Sequence, residues 1–254
     1  MKERIWDKFL TERDKQVIAA SGFGARSQGF GKRPALLIID VNYAFVGDRP
    51  EPILESIKRW RNSCGEEGWK AIKVIEPMLA ACRAKGIPVL YTTGTDRRAD
   101  LWDRGAANWK NGRGGENPKA LGLTNRDGND IVAEIAPGPR DIIVRKPKPS
   151  GFFSSPLQSY LVQLGCDSLI VTGTATSGCV RATVLDAHMN NYRVSIVEDA
   201  CFDRSEASHA ISLFDMSIKY ADVVASGAVL SFIESYPDNQ FDLPSGKGMK
   251  PAAE

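Results

Sequence analysis

The sequence predicts one α/β domain built on a doubly wound, Rossmann-like sheet of six parallel strands with helices on both faces. Short, continuously apolar runs recur along the chain, as in strands that are buried on both faces. Predicted helices separate most of these runs, which is typical of βαβ units. A length of 254 residues is suited to a single domain with one substantial core.

An arm precedes this domain over residues 1–33. Its first 20 residues predict a helix with a partial apolar face, and a glycine-rich linker follows. The linker contains a GxG motif, but a dinucleotide-binding motif follows the first strand, whereas this one precedes it. We expect the arm to pack on its own domain or on a neighbouring subunit.

Strands and helices alternate through the predicted domain, residues 34–236. A long polar loop, residues 94–128, follows the second strand and suggests a lid, an interface or a binding loop. Residues 237–254 predict a flexible tail. The predicted strands are residues 34–40, 87–93, 141–146, 167–173, 193–199 and 221–226. The predicted helices are residues 48–68 (a helical insertion), 71–86, 155–165, 178–192, 205–221 and 228–235.

Composition excludes several classes of protein. The 33 basic and 31 acidic residues nearly balance, which gives no reason to expect binding to nucleic acid or to an acidic membrane. No apolar run approaches the roughly 20 residues of a membrane span, and the charged N-terminus lacks the apolar centre of a signal peptide. The five cysteines are odd in number and none has CxxC spacing, so we expect free thiols and a cytoplasmic protein.

Three reactive side chains follow predicted strands. Asp40 follows the first, Lys146 ends the third, and Cys179 follows the fourth at a predicted helix start. Ligands of open parallel sheets bind at this edge, so we expect the three to converge. Free N–H groups and the helix dipole favour a thiolate there, which predicts a low pKa for Cys179. Together the residues suit an activated nucleophile: Cys179 attacks, Asp40 takes its proton and Lys146 balances the charge.

Other interpretations stay open. Each of the three residues also has a structural alternative, as a loop cap, a solvated charge or a small buried side chain. Cys201 is a rival nucleophile because it too follows a predicted strand. His188 lies nine residues beyond Cys179 and so points away from it along the helix, whereas His209 could approach the rim of the site.

Three motifs resemble those of the isochorismatase-like cysteine hydrolases: PALLIIDVNYAF, RKPKPSGFFSSPL and VTGTATSGCVRATVLDA. The likeness covers roughly residues 34–232. It implies an amidase with an Asp40–Lys146–Cys179 triad that forms a thioester and releases ammonia or an amine. It also implies a cis peptide between Thr174 and Ala175, with the N–H groups of Ala175 and Cys179 as an oxyanion hole.

SGCVRAT and SLFDMSIKYADVV most resemble the branch of N-carbamoylsarcosine amidases and maleamate amidohydrolases. That resemblance implies that Arg204, 25 residues after the cysteine, binds a substrate carboxylate, and a guanidinium fork suits that task. Ala175 stands where the branch usually has threonine. The flanking Thr174 and Thr176 are therefore candidate substrate contacts, although the missing hydroxyl leaves the substrate open.

The remaining expectations concern the pocket and its partners. Phe45, Trp102 and Trp109 are candidate pocket residues, and the substrate is a small amide or ureido carboxylate. The segment after the second strand lacks the D-x-H metal motif of nicotinamidases, so we expect no metal and no cofactor. The resemblance implies a homo-oligomer, a dimer or tetramer. The alternatives are a maleamate- or ureidoacrylate-type amidohydrolase, or a non-catalytic binding or scaffold protein of the same fold.

Overall fold

Six parallel strands form one sheet in the order β3-β2-β1-β4-β5-β6, which confirms the predicted doubly wound α/β domain. The computed structural model describes residues 4–96, 102, 105, 109–110, 118–119 and 121–246. The strands are β1 (Pro34–Ile39), β2 (Val89–Gly94), β3 (Ile142–Lys146), β4 (Ser168–Thr174), β5 (Arg193–Phe202) and β6 (Asp222–Val224).

Burial along the strands follows their place in the sheet. Every residue of the central strands β1 and β4 is buried, because helices cover both faces there. The edge strand β3 alternates instead, with Ile143 and Arg145 exposed and Val144 and Lys146 buried. The alternation turns Lys146 inward at the carboxyl end of the sheet.

The helices are α1 (Glu12–Ser21), α2 (Tyr43–Val46), α3 (Ile53–Ser56), α4 (Glu66–Lys85), α5 (Leu157–Gln163), α6 (Arg181–Met189), α7 (Glu206–Lys219) and α8 (Ser226–Ser235). A π-helical turn, Thr176–Val180, leads into α6. Among the described residues, no helix is both long enough and apolar enough to cross a membrane.

Two segments that the sequence predicts as helices are not continuous helices in the structure. The first is broken: a 3₁₀ turn, Asp7–Phe9, precedes α1, which begins anew because Thr11 and Asp14 form a capping box. In the insertion at 48–68, only the four residues of α3 are helical before α4 begins at Glu66. The rest folds as turns, because a hydrogen bond between the Ser56 and Ser63 hydroxyls, 2.8 Å long, closes the loop on itself.

The arm packs on the β6 edge of its own domain, one of the two expected arrangements. Trp6 is buried beside Phe214, and the Arg4 guanidinium donates to the Val223 carbonyl at 2.9 Å. Asp222 accepts hydrogen bonds from the backbone N–H groups of residues 28 and 29. The arm thus covers an edge whose backbone groups are otherwise free to pair.

The sequence predicts a flexible tail from residue 237, but its described part, up to residue 246, packs against the domain. Phe241 is buried, and the Arg33 guanidinium lies 4.4 Å from the centre of its ring. The N–H of Asn239 donates to the Lys85 carbonyl. An aromatic side chain and a cation therefore anchor a segment whose composition resembles a loose end. Most of the predicted lid, residues 94–128, lies outside the described residues.

Candidate active site

The strand order reverses direction between β1 and β4, which is where open α/β sheets bind ligands. Asp40 follows β1 and Cys179 lies on the turn after β4. The two strands approach closely at this end because Gly173 has φ +105°, and a Cβ there would lie 2.1 Å from the Ile39 carbonyl oxygen. Only glycine fits that position. The fold thus brings two of the predicted residues to one crevice.

Asp40 is buried, and both of its carboxylate oxygens are held. The Thr92 hydroxyl donates to Oδ1 at 2.8 Å, and Lys146 Nζ lies 2.7 Å from Oδ2. Its backbone has φ +53°, a left-handed conformation that Asp and Asn tolerate better than most residues. The carboxylate therefore has a fixed direction before any ligand arrives.

Lys146 is also buried, and its ammonium group is held by Asp40 and by the Lys148 carbonyl, 3.2 Å away. Burial alone lowers the pKa of Lys146, but the negative charge of Asp40 outweighs this effect, so the pKa is raised. The side chain is therefore a fixed positive charge at neutral pH.

Cys179 is half-buried on the π-helical turn, near enough to Asp40 and Lys146 for both groups to affect the pKa of its thiol. Burial raises the pKa of this thiol to about 12; the charge of Asp40 adds to the increase and that of Lys146 opposes it. The prediction of a low-pKa thiolate is therefore wrong. Desolvation and the neighbouring carboxylate raise the pKa of the thiol by more than the helix start lowers it. The resting group is therefore a thiol beside a base.

We predict that alkylation of Cys179 by iodoacetamide accelerates continuously from pH 6 to pH 9. The thiolate fraction grows with each unit of pH when the pKa lies above the whole range, as burial requires here. Peptide mass spectrometry would follow the rate at each cysteine, with the half-buried Cys166 as an internal reference. A rate that is already constant below pH 7 would reveal a resting thiolate and contradict this interpretation.

The peptide between Thr174 and Ala175 is cis, as the resemblance implies. The Ala175 carbonyl accepts from the N–H groups of Gly178 and Val180, which closes the turn around Cys179. The Ala175 N–H belongs to this cis peptide, and its role in an oxyanion hole together with the Cys179 N–H stays a prediction.

The predicted substrate-binding residues are less closely grouped than the three residues of the predicted triad. The Thr174 hydroxyl is buried 3.5 Å from Cys64 Sγ, and that of Thr176 contacts the Phe202 carbonyl and His209. Arg204 is half-buried and lines a cavity of about 550 Å³ whose described lining does not include the triad. Its guanidinium donates to the Asn62 carbonyl at 2.8 Å.

The aromatic candidates and the rival residues differ widely in their exposure to solvent. Phe45 is half-buried on α2, whereas Trp102 and Trp109 are 79% and 84% exposed in the single chain. Cys201 is buried within β5, where its sulfur donates to a backbone carbonyl and burial raises its pKa. His188 is exposed and lies edge-on to a tyrosine ring, as expected of a residue that points away.

Sequence reasoning assigned no role to two contributors. Thr92 ends a buried run, and only the register between β1 and β2 shows that its hydroxyl reaches Asp40. Asp203 accepts hydrogen bonds from Ser177, in the turn that carries Cys179. The available signal for Asp203 was its place in the segment after the predicted fifth strand, next to Arg204, but this signal did not identify its partner.

The fold and the site define a hydrolase of the doubly wound α/β class, with a buried charge pair beside a cysteine at the switch point. The chain belongs to the isochorismatase family, whose domain matches residues 34–228. It is 28% identical to N-carbamoylsarcosine amidase from an Arthrobacter species over 231 residues, and this aligned region covers 86% of this chain and 78% of that protein.

Two further proteins are similar to this chain. Maleamate amidohydrolase from Pseudomonas putida is 28% identical over 200 residues, which cover 77% of this chain and 84% of that protein. The crystal structure of N-carbamoylsarcosine amidase from Thermoplasma acidophilum is 25% identical and superposes with a TM-score of 0.59, covering 76% of this chain and 96% of that one. The predicted family and branch are thereby confirmed.

Proposed function

We propose that this chain is a cysteine amidohydrolase that cleaves a linear amide or N-carbamoyl C–N bond of a small carboxylate and releases ammonia. One observation carries the proposal: the thiol of Cys179 lies beside a buried Asp40–Lys146 ion pair, and both groups affect its pKa. A thiol, a base and a fixed positive charge are the parts that covalent amide hydrolysis requires. The likeness to amidases and amidohydrolases supports the same reaction.

In the proposed first half-reaction, Asp40 takes the thiol proton as the sulfur of Cys179 attacks the substrate carbonyl. The raised pKa of the thiol makes this coupling necessary, because little thiolate exists beforehand. The carbonyl oxygen becomes an oxyanion held by the N–H groups of Ala175 and Cys179. The C–N bond then breaks, and ammonia leaves with the proton that Asp40 returns.

In the second half-reaction, water attacks the acyl carbon and gives a proton to Asp40. The C–S bond breaks, the carboxylic or carbamic product leaves, and the proton returns to the sulfur of Cys179. Lys146 keeps its charge throughout and stabilises Asp40 in its basic form. The site therefore returns to its starting state with one water consumed.

The proposed substrate carries a carboxylate because Arg204 has guanidinium donors beyond the one used by Asn62. Ala175 presents a methyl group where the related branch has a hydroxyl. This difference leaves the choice among N-carbamoylsarcosine, maleamate and ureidoacrylate to experiment.

The test is ammonia release from N-carbamoylsarcosine, maleamate, ureidoacrylate, biuret and nicotinamide. We expect turnover of at least one carboxylated substrate, and Cys179→Ala should reduce it by at least ~10³-fold, as removal of a covalent nucleophile does. Cys201→Ala is the matched control, because that thiol is buried in β5, and it should retain wild-type activity. Equal turnover by wild type and Cys179→Ala would overturn the proposal.

A further inference from the structure

The turn that carries the nucleophile, residues 175–179, is tied to the segment that follows β5. We call residues 175–179 the nucleophile turn. Two of its members, Thr176 and Ser177, lie between the cis peptide and Cys179. Both make hydrogen bonds to residues 202–209, which come from a different part of the chain. The position of the nucleophile turn therefore depends on side chains outside the triad.

Asp203 makes the first of these ties. Its Oδ2 accepts from both the N–H and the hydroxyl of Ser177, at 2.8 and 2.7 Å. Its Oδ1 accepts from the N–H of Arg204 at 2.7 Å. A single carboxylate thus joins the nucleophile turn to the backbone of the proposed carboxylate-binding arginine.

His209 makes the second tie, through Thr176. The Thr176 hydroxyl lies 3.1 Å from the Phe202 carbonyl and 2.8 Å from His209 Nδ1. The hydroxyl has one proton and the carbonyl can only accept, so the hydroxyl donates to Phe202 and His209 Nδ1 carries a proton that it donates. This assignment satisfies all three groups, and Thr176 is fully buried.

We propose that Asp203 and His209 are positioning residues that hold the nucleophile turn in register with the triad and with Arg204. The inference rests on the proposed function, since the turn supplies Cys179 and the oxyanion donors. Neither residue has to touch the reacting atoms. Their effect comes from fixing the N–H groups before charge develops on the substrate, which is when such donors stabilise a transition state.

Replacing Asp203 by asparagine should break one of its two ties, because its two carboxylate oxygens accept from different residues. In Asp203→Asn the amide oxygen replaces only one acceptor, and the NH₂ group faces an N–H donor at the other position. One tie, to Ser177 or to Arg204, is then lost while the volume is unchanged. We expect kcat to fall by ~10- to 100-fold, less than the ~10²- to 10³-fold for losing an oxyanion donor itself.

The conservative variant at His209 separates positioning from packing. His209→Asn places an amide N–H close to the position of Nδ1, whereas His209→Leu fills space without a donor. We expect His209→Leu to lower kcat by ~10-fold and His209→Asn to restore it to within ~3-fold of wild type. Equal activity of the two variants would overturn the role of His209.

The experiment measures kcat and backbone hydrogen exchange over residues 175–180 in the full chain. Glu206→Gln is the matched control, since Glu206 lines the same cavity as Asp203 and its side chain is exposed. Asp203→Asn should speed exchange of this segment by ~10-fold while Glu206→Gln leaves it unchanged, because protection depends on the hydrogen bond of the N–H group. Iodoacetamide should still reach Cys179 in Asp203→Asn at a rate within twofold of wild type.

The outcomes separate this proposal from the proposed function. Wild-type exchange and kcat in Asp203→Asn would overturn the positioning role and leave the amidase untouched. A loss of kcat with slowed alkylation and a lowered melting temperature would also overturn it, because the variant would then be disrupted as a whole. If wild type hydrolyses no amide, the proposed function fails, and the exchange measurement still decides whether Asp203 holds the turn.

Discussion

Asp40→Asn is expected to reduce kcat by ~10³- to 10⁴-fold, at the upper end of what a general base contributes. The thiol of Cys179 has a raised pKa, so attack without a neighbouring base depends on a very small thiolate fraction. Asparagine isolates the loss of charge, because it has the same shape and tolerates the left-handed backbone at φ +53°. Ammonia release under saturating substrate measures the effect.

The matched control for Asp40 is Thr92→Val. It removes the 2.8 Å hydrogen bond to Oδ1 and keeps both the charge and the ion pair with Lys146. We expect a loss of activity of ~10- to 100-fold, smaller than that for Asp40→Asn, because one hydrogen bond to a charged group contributes about 1.5–3 kcal/mol. If Asp40→Asn retained more than a tenth of wild-type activity, Asp40 would not be the base and the proposed mechanism would fail.

Lys146→Met is expected to destabilise the protein and to stop turnover. The substitution leaves Asp40 buried and unpaired, and breaking a buried pair in this way costs about 3–5 kcal/mol. Asp40 would also lose the ion pair that holds its carboxylate in position as the proposed base. We expect kcat to fall by at least ~10²-fold, in line with the loss of general-base catalysis. Urea unfolding and ammonia release measure the two effects.

The stability loss in Lys146→Met should depend on pH in a defined direction. The pKa of Lys146 is raised in the folded wild type, so the stability that its charge contributes is present below the unfolded value of 10.5 and is lost as the pH rises through the higher folded value. The difference in unfolding free energy between wild type and Lys146→Met should therefore be larger at pH 8 than at pH 11. Lys146→Arg keeps the charge and is the control. A pH-independent difference would mean that the charge of Lys146 does not stabilise the folded protein.

The meeting of the three candidate residues at one edge of the sheet could be predicted from the sequence, although they are far apart in the chain. Asp40, Lys146 and Cys179 are each at a strand end, and a parallel sheet brings strand ends together without further information. The apolar runs predicted the positions of the strands, because a strand that is buried on both faces is apolar along almost its whole length. The strand order of the sheet then places the three groups at the same edge.

The protonation state of Cys179 could not be predicted in the same way. A helix start is a local feature and favours a thiolate, but the burial and the carboxylate that raise the pKa come from other strands. The ties from Asp203 and His209 also depend on tertiary contacts between the turn after β4 and the segment after β5. Local sequence records neither desolvation nor cross-strand hydrogen bonds.

The most direct test of the central claim is mass spectrometry of the enzyme quenched in acid during turnover. The substrate would be the one most active in the ammonia assay, with Asp40→Asn run in parallel. We predict an adduct of the substrate's acyl mass on the peptide that contains Cys179, present in wild type and strongly reduced in Asp40→Asn. Turnover with no adduct at Cys179, or with the adduct on another cysteine, would contradict the assignment of Cys179 as the nucleophile.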